Sequence, residues 1–287
     1  MVGAGPASRP QAPILVLDAS TRSARATRAE LCREVQRRGW RLVELGRGDD
    51  YPEVDDAAAE HEADVVAFAG PDRSQSKAAV VAAGRELAYA CVPAGGDDLF
   101  ARDLGVDPDD VMGALGAIED YCEYSVDLGE VNGVTFVNYV ALGLDCRPVR
   151  ARRSAEPCSW AFATRASYVV ACRRPALRLH WFASSRRKGC EALFVSNNRR
   201  RFYAHAVGGR TRLDGGVLGI GVLGVDRGSA AAPDCGGPWH ELDLPAFEAD
   251  SVAPLRADVD GQVVSLEPPL RFRILPRALR VRVPLHS

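Results

Sequence analysis

The chain has 287 residues, of which 47% are hydrophobic and 26% charged, and its formal net charge is −2. That is enough chain for two domains with sizeable cores, and the composition excludes disordered, collagenous and disulfide-stapled classes. No apolar run approaches the roughly 18 residues that span a bilayer, and residues 1–12 read as a flexible tail with no apolar signal core.

The first predicted strand is Ile14 to Leu17, opening into the polar run Asp18-Ala19-Ser20-Thr21-Arg22. A helix follows over about Arg25 to Arg38, with Leu31 and Val35 on one face, and Gly39 closes it. Trp40 to Leu45 reads as a strand and Val54 to Glu62 as a short helix. Val65 to Ala69 is a buried strand, followed by a loop, Gly70 to Ser76, and an alanine-rich helix from Lys77. A further strand, Ala88 to Val92, ends in Pro93-Ala94-Gly95-Gly96. This alternation predicts a mostly parallel sheet covered by helices, with ligands beyond the carboxyl ends of the strands. Asp107-Pro108-Asp109-Asp110 starts a last helix that runs to about Ile118.

From Glu123 the pattern changes to strands. Two alternating runs flank Asn132-Gly133, a strong hairpin signal. A helix is expected over Trp160 to Arg173. Strands are expected at Leu177 to Phe182, Glu191 to Ser196, Val217 to Val222 and beyond. The domain reading is therefore an α/β domain over 13–122 and a β-sandwich over 123–287. Gly219, Gly221 and Gly224 fit G-x-G-x-x-G, but they alternate with apolar residues and lead into a turn. A dinucleotide fingerprint needs a helix after it, so this one is set aside.

Several motifs resemble one family. Pro93 to Gly105, PAGGDDLFARDLG, is similar to the PAGTGNDFARxLG loop of the diacylglycerol kinase family, which includes sphingosine kinases and bacterial lipid kinases. Asp127 to Asp145 matches that family's DLGxVNGxxFxNxxxxGxDA in spacing at Asp127, Gly129, Asn132, Gly133, Phe136, Asn138, Gly143 and Asp145. Val259-Asp260-Gly261-Gln262 stands at its DGE, and the resemblance runs from about Ile14 to Pro284. It implies a nucleotide-binding α/β domain related to that of NAD kinases, followed by a β-sandwich carrying a lipid site. The implied activity is transfer of the ATP γ-phosphate to a lipid hydroxyl, with ATP and Mg2+ as cofactors.

The resemblance also assigns residues. Gly70, Asp72, Arg73 and Ser74, in GPDRS where relatives have GGDGT, fall to the nucleotide with Gly95 and Gly96. Asp214, in LDGGVL where relatives have LDDGLL, falls to the metal. Asp260 takes the role of base; taken alone, the Asp-Gly pair marks a hairpin turn. The machinery departs from the family at several points. Pro71 fixes φ and removes an N–H donor from the phosphate cradle. Arg73 puts a side chain where backbone should approach, although a guanidinium also binds phosphate. Gly215 and Gln262 stand where relatives have acids. Each lost charged contact is worth about 1.5–3 kcal/mol. Two readings stay open: a divergent lipid kinase of weak activity, and a pseudokinase that binds a lipid or a partner.

Charge is uneven along the chain. Residues 1–145 carry 13 basic and 26 acidic side chains, net −13, and residues 146–287 carry 23 and 12, net +11. The basic stretch from Arg147 to Arg212 includes Arg186, Arg187, Arg199 and Arg200 and suggests an anionic membrane surface, while a merely solvated face has the same pattern. The expected partners are a lipid substrate or ligand and that surface, with no nucleic acid. The eight cysteines form no C-x-x-C pair, which argues against a zinc site and fits reduced thiols of a cytoplasmic protein, peripheral at the inner membrane face.

Overall fold

The computed structural model describes residues 12–45, 52–94, 98–148, 166–172, 179–181, 188–190, 192–203, 206–223 and 240–285. The chain divides into two compact units, Met1–Val126 with Arg277–Ser287, and Asp127–Pro276. The C-terminal stretch thus belongs with the first unit, a return that the division at 122/123 does not contain.

The first unit opens with β1 (Pro13–Asp18), α1 (Arg22–Arg38), β2 (Arg41–Leu45), α2 (Pro52–Glu60), β3 (Val65–Gly70), α3 (Asp72–Gly84) and β4 (Ala88–Pro93). Short helices α4 (Leu99–Leu104), α5 (Val111–Ala114) and α6 (Gly116–Glu119) follow, and β5 (Tyr121–Val131) leads out. The strands β4, β3, β1 and β2 lie side by side in that order, all parallel. Every residue of β1, β3 and β4 is buried, as expected of parallel strands covered on both faces. Helix α1 buries Ala24, Leu31 and Val35, is capped by Thr21, and ends at Gly39 in a left-handed conformation, φ 70°. The strand order reverses between β1 and β3, so the crevice of this sheet opens at the carboxyl ends of those two strands.

The second unit holds β6 (Val134–Phe136), β7 (Tyr139–Leu142), β8 (Leu144–Pro148), β9 (Ala166–Cys172), β10 (Leu179–Trp181), β11 (Lys188–Cys190) and β12 (Ala192–Asn197). It continues with β13 (Arg200–Tyr203), β14 (Ala206–Arg210), β15 (Leu218–Leu223), β16 (His240–Leu244), β17 (Ala246–Asp250), β18 (Leu255–Val259) and β19 (Gln262–Leu266). The last strand, β20 (Leu270–Pro284), starts here, and its residues Arg280–Arg282 pair parallel with Ala88–Ala90 in the first unit. Among the described residues a six-stranded antiparallel sheet runs β16-β15-β12-β7-β18-β19. Its inner face, including Val140, Leu193, Val195, Ile220 and Val259, packs against Val131, Phe136, Phe247, Leu270 and Phe272 from β5, β6, β17 and β20. Two antiparallel layers around one core make the sandwich expected of these alternating runs.

Three local outcomes differ from or refine the sequence reading. The helix expected over Trp160 to Arg173 is replaced, over Ala166–Cys172, by strand β9, paired antiparallel with β8. Its Val169-Val170 pair favours the pleat over a helix. The hairpin at Asn132-Gly133 forms with both residues at positive φ, 48° and 83°. Gly219 and Gly221 lie inside β15, where a Cβ would fall 2.7 Å from Ser196 Oγ and 2.3 Å from the Phe202 ring. These two glycines serve close packing in a sheet.

Candidate functional site

In the first unit the site is built at the ends of β1, β3 and β4. Gly70 ends β3 against β1; a Cβ there would lie 2.6 Å from the Phe68 ring and 2.9 Å from Asp18 Cβ. The loop expected over Gly70 to Ser76 is mostly helix. Pro71 is the N-cap of α3, at φ −71° and ψ 153°, and its carbonyl accepts from Ser74 N–H at 2.8 Å and Gln75 N–H at 2.9 Å. The ring that removes a phosphate donor also pre-sets the chain for a helix start. Asp72 then falls in the first turn, where the helix macrodipole favours a carboxylate.

Side chains tie these segments together. Asp18 accepts from Ser74 Oγ at 2.6 Å and from Ser20 N–H at 2.8 Å. Burial pushes the Asp18 carboxyl up, but the hydrogen bonds from Ser74 and Ser20 and the charge of Arg73 outweigh it, so its pKa is lowered. Arg73 is exposed and donates to Ser20 Oγ at 3.3 Å. Thr21 caps α1 and also donates to the Ala94 carbonyl at 3.2 Å, at the end of β4. Asp72 accepts from Phe100 N–H at 3.2 Å. Gly70, Asp72, Arg73 and Ser74 therefore do come together at the reversal of strand order. Gly95 and Gly96 lie outside the described residues. Asp18 and Asp98, both buried, add acid to this neighbourhood, and the N-terminus of α3 with Arg73 supplies the positive counterpart.

The second unit gathers buried polar groups at the ends of β7, β12 and β18. Asp260 and Gly261 form the turn between β18 and β19, with φ 49° and 85°. The Asp260 carboxylate accepts from the N–H groups of Val137 at 2.7 Å, Asn138 at 2.9 Å and Tyr139 at 2.8 Å. It is 7% exposed. The hairpin turn of the sequence reading is present, and the carboxylate expected to act as a base is engaged by three backbone N–H groups. Asn197 donates to the carbonyls of Asp127 and Val137. Arg210 donates to the Val137 carbonyl at 2.6 Å and to Asn138 Oδ1 at 3.1 Å. Sequence reasoning did not single out Asn197, Asn198 and Arg210. The available signal was the apolar strand FVS running into two asparagines, which a buried strand end tolerates only if both amides are satisfied.

The Asp214 loop, Arg212 to Gly216, hangs from this network. Gly215 N–H donates to Asn198 Oδ1 and Gly216 N–H to Asp127 Oδ2, each at 2.7 Å. Asp214 pairs with Arg212 at 3.2 Å. Its carboxyl is lowered, first by the hydrogen bond from Arg212, against a smaller opposing effect of burial. Among the described residues no three His, Cys, Asp or Glu side chains converge as a metal cradle. One carboxylate that already has a cationic partner does not fit a divalent ion held by the protein.

The basic residues split. Arg186 and Arg187 lie outside the described residues. Arg199 is exposed and pairs with Asp243 at 3.2 Å. Arg200 corrects the expectation of a membrane-facing cation: it is 2% exposed, and its guanidinium donates inward to the Gly208 carbonyl at 2.9 Å. No helix among the described residues is long and apolar enough to cross a membrane.

No family model matches the chain. It is 30% identical over 259 residues to the probable lipid kinase YegS-like of Pseudomonas aeruginosa, covering 84% of this chain and 83% of that protein. It is 29% identical over 274 residues to the protein of the same name from Pseudomonas syringae pv. tomato, covering 88% and 87%. Among solved structures, a diacylglycerol kinase from Bacillus anthracis superposes with a TM-score of 0.67 at 15% identity, over 96% of this chain and 97% of that one.

Proposed function

The chain belongs to the family of the YegS-like probable lipid kinases, and from that premise we propose that it transfers a phosphoryl group from ATP to a lipid hydroxyl of the diacylglycerol type. The observation that carries this reading is the 30% identity to a YegS-like lipid kinase across 84% of the chain. In this reading the first unit takes the nucleotide at the ends of β1 and β3. The N-terminus of α3 and the Arg73 guanidinium face the phosphates, and Asp72 and Ser74 line the same crevice. Gly95 and Gly96, outside the described residues, keep the nucleotide role that the resemblance gives them. Positioning and electrostatics supply most of the catalysis in phosphoryl transfer, so the turnover is slow where Pro71 and Arg73 replace glycines. The second unit takes the lipid, and the net +11 of the C-terminal half draws the protein to the anionic cytoplasmic face of a membrane.

One observation favours a second reading. The Asp260 carboxylate has three backbone N–H donors within 2.9 Å, which suits an anchor of the fold better than a base awaiting a proton. A pseudokinase that keeps the lipid site and has lost turnover fits that geometry. Thermal stability separates the two. ATP at a hundred times its dissociation constant adds about 2.7 kcal/mol to a protein that binds it. Under the kinase reading the melting temperature rises with ATP, and the rise shrinks in Arg73→Ala. Under the pseudokinase reading ATP leaves it unmoved, while vesicles containing diacylglycerol and anionic lipid still bind the protein.

A further inference from the structure

Two buried donors of the first unit point to a ligand that the lipid kinase reading does not use. Tyr121 opens β5, Arg282 lies near the end of β20, and both belong to that one unit. Each residue is 6% exposed. Among the described residues neither Tyr121 Oη nor Arg282 Nη1 has a hydrogen-bond partner, and both atoms are buried. The large majority of buried polar side-chain atoms in folded proteins are satisfied, so two orphans in one place call for an acceptor. They are in one place: the guanidinium carbon of Arg282 stands 4.1 Å from the centre of the Tyr121 ring. The stack fixes the plane of the fork against the phenol.

Strand alternation locates the pair. Arg280 and Arg282 stand in register with Ala88 and Ala90 of β4. The alternate residues of that strand, Tyr89 and Cys91, reach Gln75 of α3. Arg280 and Arg282 therefore face away from α3. The N-terminus of α3, which the nucleotide reading uses, belongs to the other layer.

Charge points the same way. Two arginines share one acid here: Glu123 Oε1 accepts from Arg280 Nη1 at 3.4 Å, and Oε2 from Arg282 Nε at 3.1 Å. Arg280 turns Nη2 to the Glu86 carbonyl, which carries no charge. Among the described residues neither arginine pairs with a second carboxylate. The cluster keeps one positive charge in excess, and the Arg282 side chain, 7% exposed, has little water to screen it. A water molecule would satisfy the two donors and leave the charge; an anion answers both.

We propose that Tyr121 and Arg282 form a binding site for a small oxyanion of the phosphate class, separate from the nucleotide crevice. Its oxygens accept from Tyr121 Oη and Arg282 Nη1, and its charge balances the arginine that Glu123 leaves over. The site does not rest on the kinase reading.

The test is thermal stability against inorganic phosphate, with ionic strength held constant by sodium chloride. Every protein carries Arg73→Ala, which removes the exposed guanidinium assigned to the nucleotide phosphates. Tyr121→Phe, added to that parent, keeps the ring beneath the guanidinium and removes only the hydroxyl. The expected result is a saturable rise in melting temperature with phosphate in the parent. Half-saturation should need about tenfold more phosphate in Tyr121→Phe, the scale of one charge-assisted hydrogen bond. Arg282→Lys should lose the rise; where that variant does not fold, Tyr121→Phe decides alone. A parent that melts alike in phosphate and in chloride overturns the proposal and leaves the two donors to water. Equal half-saturation in the parent and Tyr121→Phe, or a rise that survives in folded Arg282→Lys, overturns it too and puts the ion elsewhere.

Discussion

The ends of β1, β3 and β4 and the polar interior of the second unit are both made of residues that the sequence marks for chemistry, and they spend them differently. In the first region Ser74 meets Asp18 and Arg73 meets Ser20 side chain to side chain, while Asp18, Thr21 and Asp72 also bind backbone at Ser20, Ala94 and Phe100. Of the groups that depart from the family here, Arg73 is exposed and Pro71 is buried as the N-cap of α3. In the second region side chains hold backbone. Asp260 takes three N–H groups, Asn197 two carbonyls, Arg210 a further carbonyl. Asp127, Asn138 and Asp260, which match the family in spacing, are among its members. Three residues that agree with the family, Asp127, Asn138 and Asp260, thus spend their side chains on structure, and departures fall in both regions, Pro71 and Arg73 in the first and Gly215 and Gln262 in the second. Agreement at a motif is therefore evidence of the fold first and of turnover second.

The sharpest way to break this comparison is Asp260→Ala. It leaves three buried N–H groups without their acceptor, at about 1–3 kcal/mol each, so a loss of about 3–9 kcal/mol is expected, a large part of a domain's stability. Asp260→Asn keeps one acceptor oxygen and should lose clearly less. Urea denaturation reads both. An unchanged midpoint in Asp260→Ala would return the carboxylate to a purely chemical role.

Gly215→Asp should come next. Restoring the family's second acid drives Cβ into Asn198 Oδ1 and disturbs the bond to Gly215 N–H. A loss of about 1–3 kcal/mol is expected, and Asn198→Ala in the same chain should recover part of it. A tolerated Gly215→Asp would show that the loop yields easily.

Much of the fold was legible because it rests on local patterns. Buried parallel strands appear as the runs Ile14 to Leu17, Val65 to Ala69 and Ala88 to Val92. Asn132-Gly133 and Asp260-Gly261 announce their turns through residues that tolerate positive φ. Less was legible where a residue's role depends on a distant partner. Ser74 reads as a substitute for a family Thr, but its hydroxyl donates to Asp18, 56 positions away. Arg200 sits in a run of three arginines and reads as surface, but a carbonyl of β14 draws it inward. The onset of α3 at Asp72 is hidden in the sequence by Gly70-Pro71, a loop-like pair whose proline takes the N-cap position of the helix.

A smaller effect should appear with pH. Asp18 has a lowered pKa in the folded protein, so its ionised form stabilises the fold above its unfolded value, about pH 4. That contribution is lost as pH falls through the folded value. Asp18→Asn should flatten the acid limb of stability between about pH 5 and 3, measured by urea denaturation along the pH series. The smallest effect is expected at Glu34, whose carboxyl is pulled down to about 2 by Arg37 and then Arg38. Solvent screens this exposed cluster. Glu34→Gln should move the urea midpoint only slightly, and NMR titration of the wild type should show Glu34 protonating below the ordinary glutamate range by an amount that shrinks as salt is added.

The most direct test of the account is transfer itself: γ-labelled ATP with diacylglycerol in mixed micelles, wild type beside Asp72→Asn and Arg73→Ala. The account predicts labelled lipid from the wild type at a low rate, reduced about tenfold or more in each variant, the scale of one charged contact made in the transition state. No labelled lipid from a folded wild-type protein that still binds diacylglycerol vesicles would contradict it and leave the pseudokinase reading in its place.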